Sequence, residues 1–111
     1  MNKPHKKLDV WKLSMVLSET VYGLTAGYPS EERFGLGSQM RRAAVSIASN
    51  LAEGAARSSK NEFRNFLSIA RSSLSELDTQ LDLSERLGFI TGHARSEIDG
   101  LLTRVDKMLC A

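Results

Sequence analysis

The chain has a single cysteine, Cys110, only two prolines, and nowhere about 18 apolar residues in a row. One cysteine forms no internal disulfide framework and suits a reducing cytoplasm. Without a long apolar run, or the apolar centre of a signal peptide, neither membrane insertion nor secretion is expected. The scarcity of proline, aromatics and β-branched runs leans towards an all-α fold. Neither charge sign dominates: 15 Lys and Arg face 13 Asp and Glu, a net +2. That is too mild to imply nucleic acid by itself, so the distribution of charge has to carry any such argument.

Site chemistry is equally sparse. Neither His5 nor His93 has Glu three residues before it, as a di-iron helical bundle would require. Two histidines and one cysteine, far apart, do not make a zinc spacing. "GLGSQ" at 35 to 39 lacks the lysine and spacing of a phosphate-binding P-loop. Cys110 has no evident base beside it, and His93 reads as a surface residue. Asn50 and Glu53 fit hydrogen bonding at a helix end or interface better than a catalytic pair. Trp11 and Tyr22 read as packing residues with a polar tip. The expectation is a protein that is not an enzyme, with no cofactor, no metal and no catalytic residue.

At 111 residues the chain makes one domain, able to bury roughly two thirds of its unfolded surface. Residues 1 to 7, "MNKPHKK", have no apolar pattern and read as a flexible basic tail. Residues 8 to 111 read as four helices. The first, from about Leu8 to Ala26, repeats Val10, Leu13, Leu17, Val21 and Leu24 at spacings of three and four, with Gly27 as its C′ residue. Ser30, Glu31 and Glu32 suit a short turn over 31 to 36, and the second helix follows from about Ser38 to Glu53, ended by Gly54.

The third helix opens on "SKNE" at 59 to 62, a capping box with Ser59 as N-cap and Glu62 reaching back. Phe63, Leu67, Ala70, Leu74, Leu77, Leu81 and Ser84 then form an unbroken seam. Gly88 at C′ and Phe89 after it suit a Schellman motif. About 28 residues make a rod of roughly 42 Å. A fourth helix from about Thr91 carries Ala94, Ile98, Leu101, Val105 and Met108. The four together predict an antiparallel four-helix bundle.

The second helix is unusual in its small residues. Met40, Ala44, Ile47 and Leu51 form one seam; Val45, Ala48, Ala52 and Ala55 form another, about 100° round the helix. Two packings fit. In one, a single wide apolar stripe serves a tightly packed internal helix. In the other, the first seam packs within the subunit and the second admits the helix of another copy.

"LDVWK" at 8 to 12, "ERFGLGSQMRRAAVSIASNLAEGAAR" at 32 to 57, "SKNEFRNFLSIARSSLSELDTQL" at 59 to 81 and "ERLGFI" at 85 to 90 resemble the four-helix bundle protein family, also called the 23S rRNA intervening-sequence (S23) proteins. Some of its members are encoded inside insertions in bacterial ribosomal RNA genes. The resemblance covers about residues 8 to 109 and implies a homopentamer, with Val45, Ala48, Ala52 and Ala55 at the oligomer interface. A relative serves as the accessory protein of diversity-generating retroelements, where it binds nucleic acid and a reverse transcriptase; RNA or DNA, and a reverse transcriptase or other protein, are therefore the implied partners. Many relatives carry Pro where Ala48 stands, so a milder helix kink is expected there.

Charges on the third helix are sorted by end. Residues 57 to 71 carry +3 (Arg57, Lys60, Arg64 and Arg71 against Glu62), and residues 76 to 86 carry −3. This opposes the helix macrodipole, so local helix stability does not explain it. With Arg41 and Arg42 approaching from an adjacent second helix, the cations would form a patch for phosphate backbones, read without sequence preference. The alternative pairs them with acids such as Glu53. Aromatic interleaving is weak, with only Phe63 and Phe66 nearby. Two functions follow: nucleic-acid binding through Arg41, Arg42, Arg57, Lys60, Arg64 and Arg71, or a protein–protein interaction scaffold with no direct nucleic-acid role.

Overall fold

The computed structural model describes residues 1 to 110 and contains four α-helices: α1 Asp9–Thr25, α2 Leu36–Ala55, α3 Lys60–Arg86 and α4 Gly92–Cys110. Each packs on its chain neighbours, α4 closes the ring on α1, and the diagonal pairs do not meet. Contacts between α2 and α3 run antiparallel, from Met40 with Ser84 through Ser46 with Ser73 to Gly54 beside Phe63 and Phe66. The bundle measures 44 × 25 × 22 Å. Among the described residues no helix is long and apolar enough to cross a membrane.

Leu17, Val21, Met40, Ile47, Leu51, Leu77, Leu81, Ile98 and Val105 fill the core. Each helix presents these at its three-and-four spacing, which is why the repeat specifies the bundle. Ser84, the polar member of the α3 seam, is fully buried; its hydroxyl donates to the Gln80 carbonyl at 2.8 Å and lies 3.4 Å from Met40 Sδ. Around α4 the buried positions are Arg95, Ile98, Leu102, Val105 and Leu109, so the stripe is turned away from the expected Ala94, Leu101 and Met108.

Helix ends follow local chemistry. Ser59 Oγ accepts from the Glu62 amide at 3.1 Å, the N-cap side of the expected box, while the Glu62 carboxylate reaches back to the Ser59 hydroxyl instead of its backbone amide. At the other end of α3 the Phe89 amide reaches the Ser84 carbonyl and the Gly88 amide reaches Glu85, with Gly88 at φ 78°, a Schellman closure that needs glycine. Glu32 sits in a 3₁₀ turn, Ser30–Glu32, and its carboxylate accepts from the Leu36 amide at 2.9 Å. This satisfies an orphan donor, so α2 starts two residues before the expected Ser38.

Two expectations are corrected. Gly54 does not end α2, which continues to Ala55; a Cβ on Gly54 would lie 2.9 Å from Phe66 Cβ and 3.0 Å from Phe63 Cδ1. Its role is close approach of α3 to α2. Within the segment expected as a tail, Pro4–Lys7 forms a 3₁₀ turn against α1 and α2, with the His5 ring edge-on to Trp11 at 4.9 Å.

Candidate nucleic-acid interface

Lys60, Arg64 and Arg71 stand four and seven residues apart, so they share one edge of α3 with rises of about 6 and 10.5 Å between them. All three are exposed, and among the described residues none has a carboxylate within 4.0 Å. Arg71 lines a shallow groove with Ser68, Ser72 and Ser75, shared with Asp106 of α4. The same edge of α3 continues, after another seven and four residues, into Asp78 and Asp82.

Those two aspartates, of the four acids in that half of the helix, have a cationic partner inside the chain. Arg95 of α4, whose side chain is only 10% exposed, donates Nη2 to Asp78 at 2.6 Å and Nε to Asp99 at 2.8 Å, and places Nη1 3.0 Å from Asp82. Burial pushes the Arg95 pKa down, but the hydrogen bond to Asp99 and the charges of Asp99, Asp82 and Asp78 outweigh it and hold it above its ordinary value. Sequence reasoning missed Arg95 because it sits beside, not on, the expected α4 seam. The signal was there: Asp78 and Asp82 are a helical turn apart, and Arg95 and Asp99 are another such pair on an antiparallel neighbour. Charge sorting along α3 is thus half structural. Its basic half has no such use inside the chain.

The six expected phosphate contacts do not form one patch. Although α2 and α3 are adjacent, Arg41 faces α1: Nε donates to Thr25 Oγ1 at 2.8 Å, Nη2 to the Tyr22 carbonyl at 3.2 Å, and the guanidinium lies 4.4 Å from the Tyr22 ring centroid. Ser46, which meets Ser73 of α3 at 2.8 Å, is five residues on and so about 140° round the helix. Arg42 is exposed and unpaired among the described residues. Arg57, near the α2–α3 turn, pairs with Glu53 at 3.0 Å and lies 5.1 Å from the Phe66 ring. Pairing with Glu53, the alternative weighed for the whole set, holds for this one arginine.

Tyr22 is half exposed under Arg41, not a packing residue inside the bundle. Asn50 donates to the Ser46 carbonyl and hydroxyl at 2.8 and 3.0 Å. Its partner in the motif, Glu53, is held by Arg57. His93 is exposed, 3.1 Å from Glu97.

The small-residue seam also divides. Val45 is 42% exposed and Ala48 only 6%, with Ala52 and Ala55 between. Val45 and Ala52 lie within about 20° of each other on α2, while Ala48 and Ala55 lie roughly 60° nearer the core. Ala48 is therefore corrected from an interface position to an internal one. It lies on the side of α2 that carries Arg41 towards α1, where Ser14, Ser18 and Thr25 are buried. Ala55 lines a groove of about 330 Å³ with Pro4, Leu8, Gly54 and Phe63.

Comparison with known proteins places this geometry in context. A family model described as "23S rRNA-intervening sequence protein" matches residues 6–111. A crystal structure of a protein of unknown function from the S23 ribosomal protein family, from Bacteroides thetaiotaomicron VPI-5482, superposes with a TM-score of 0.84 at 26% sequence identity, covering 91% of this chain and 91% of that one. No curated protein matches the chain.

Proposed function

This chain belongs to the 23S rRNA-intervening sequence protein family, and on that premise we propose that it is a non-enzymatic bundle protein that binds RNA or DNA with little sequence preference. The observation that carries the reading is the row Lys60, Arg64 and Arg71, three exposed cations left without carboxylates on an edge of α3 whose two aspartates, Asp78 and Asp82, are engaged by Arg95. Cations free on an edge neutralise phosphates and release counterions. Self-assembly, with the homopentamer as the expected form, would repeat the row and multiply a weak affinity. Half-exposed Met15 on α1 and partly exposed Ala52 on α2 support such an interface.

The test is a salt-titrated gel shift with single- and double-stranded RNA and DNA. Replacing Arg64 and Arg71 by Ala should weaken binding and flatten the slope of log affinity against log salt by about 1.4 to 1.8. Absence of retardation of every nucleic acid at about 50 mM salt overturns the reading. The same apolar side chains favour a second reading, a scaffold for one protein partner. A stoichiometric partner that survives nuclease treatment, with no retardation by the purified protein, would select it.

A further inference from the structure

Arg41 and Arg42, which do not join the α3 row, line a different site. Phe34, between the Ser30–Glu32 turn and α2, is 89% exposed. A ring left in water contributes nothing to the core, and the resting chain covers it with nothing but Arg33, whose guanidinium lies 5.6 Å from the ring centroid. Beside it runs a groove of about 520 Å³ lined by Tyr22, Arg33, Phe34, Arg41, Arg42 and Val45 together with Ser38 and Ser46. Three guanidiniums and no carboxylate line it. Its size lies within the range of small-ligand sites.

From this we infer that the groove is a base-stacking site for single-stranded nucleic acid, with Phe34 as the platform and Arg33 and Arg42 as phosphate contacts. The inference rests on the nucleic-acid reading above and adds the strand class to it. Charge complementarity commits the groove to a polyanion. The flat surfaces, one phenyl ring and the guanidinium of Arg41 already stacked on Tyr22, favour an occupant that offers free faces of its own. A duplex keeps its base faces stacked on one another and offers phosphates and base edges; a single strand offers phosphates and free base faces together. A second copy seated on the groove would have to bring carboxylates of its own to three guanidiniums, and oligomer mass tests for that occupant.

The experiment compares the affinity of the full chain and of Phe34→Leu for an oligonucleotide of about 20 nucleotides, single-stranded or annealed to its complement, by fluorescence anisotropy. Leu keeps the apolar bulk and removes the ring, and the exposure of Phe34 leaves folding intact, checked by an unchanged thermal melt. The wild type should prefer the single strand, and Phe34→Leu should lose at least about fivefold on the single strand with the duplex unchanged. Equal single-strand affinity of wild type and variant overturns the stacking site while leaving the α3 row standing. A wild-type preference for the duplex does the same. A drop in oligomer mass on Phe34→Leu, seen by light scattering, assigns the ring to self-association and also overturns it. Failure of the wild type to bind either form overturns both readings together.

Discussion

Arg95 of α4 and Asp78 of α3 meet at 2.6 Å, with the guanidinium enclosed and the carboxylate half in water. Asp82 and Asp99 complete the ring of acceptors, so one buried cation ties two helices through three surface acids. Removing one partner of a buried pair costs about 3–5 kcal/mol, and the exposure of the aspartates lowers that here. Arg95→Ala should therefore reduce unfolding stability by about 2–4 kcal/mol in a urea titration. Three unneutralised carboxylates repel one another, so part of the deficit should return in about 1 M salt. Arg95→Lys should recover less than half, because an ammonium lacks the planar fork that reaches three acceptors. A loss below about 0.5 kcal/mol for Arg95→Ala would show that the cluster is incidental.

Two glycines in helices should respond to alanine with opposite signs. At Gly100, in α4, an added Cβ meets nothing within 4 Å, so Gly100→Ala should gain about 0.5–1 kcal/mol from helix propensity and a less free unfolded chain. At Gly54 the same methyl would lie 2.9 Å from Phe66 Cβ, an atom next to the α3 backbone with little room to move. Overpacking of this kind costs about 1–3 kcal/mol and exceeds the propensity gain. Gly54→Ala should lower the melting temperature while Gly100→Ala raises it. A stabilising Gly54→Ala would mean that α2 and α3 separate freely at their joined ends.

Why the fold was legible and the site only partly so can be traced to particular residues. The α3 seam and the ends at Ser59 and Gly88 depend on neighbours three or four positions away, and a sequence displays such neighbours directly. Arg41 depends on Thr25 and Tyr22, which precede it by 16 and 19 residues. Nothing in "QMRRA" shows which way the first arginine turns, so Arg41 and Arg42 looked equivalent and are not. Ala48 misled for a related reason: it shares a small-residue stripe with Ala52, but about 40° of helix rotation separates an enclosed position from a half-exposed one. Phe34 was readable only as a residue near a turn. Its exposure is a tertiary fact.

That difference in rotation makes the assembly proposal testable within one helix. Ala48→Glu would force a charge against the buried Ser14, Ser18 and Thr25 side of α1, and should unfold the subunit or lower its melt steeply. Ala52→Glu reaches solvent from its half-exposed position, so it should leave the circular dichroism spectrum intact and act on mass alone. Light scattering on Ala52→Glu should then give a folded species of lower mass than the wild type. Identical masses, with both folded, would remove this face from the interface.

Arg41 and Arg42 offer the sharpest separation of holding the fold from holding a ligand. Arg41→Ala removes a charged hydrogen bond to Thr25, another to the Tyr22 carbonyl, and the stacking contact on the Tyr22 ring. Thr25 still donates to the Val21 carbonyl at 2.8 Å, so no buried donor is stranded and the loss should stay near 1–2 kcal/mol. Arg42→Ala removes an exposed side chain with no partner in the chain and should change stability by no more than about 0.5 kcal/mol. In binding the order should reverse, since Arg42 is the one of the two left free for a phosphate. Melts and anisotropy titrations on the two variants therefore form a crossed pair, Arg41→Ala the less stable and Arg42→Ala the weaker binder. Equal loss of stability in both would mean that Arg42 is also spent on the fold, and would leave the Phe34 groove without its second phosphate contact.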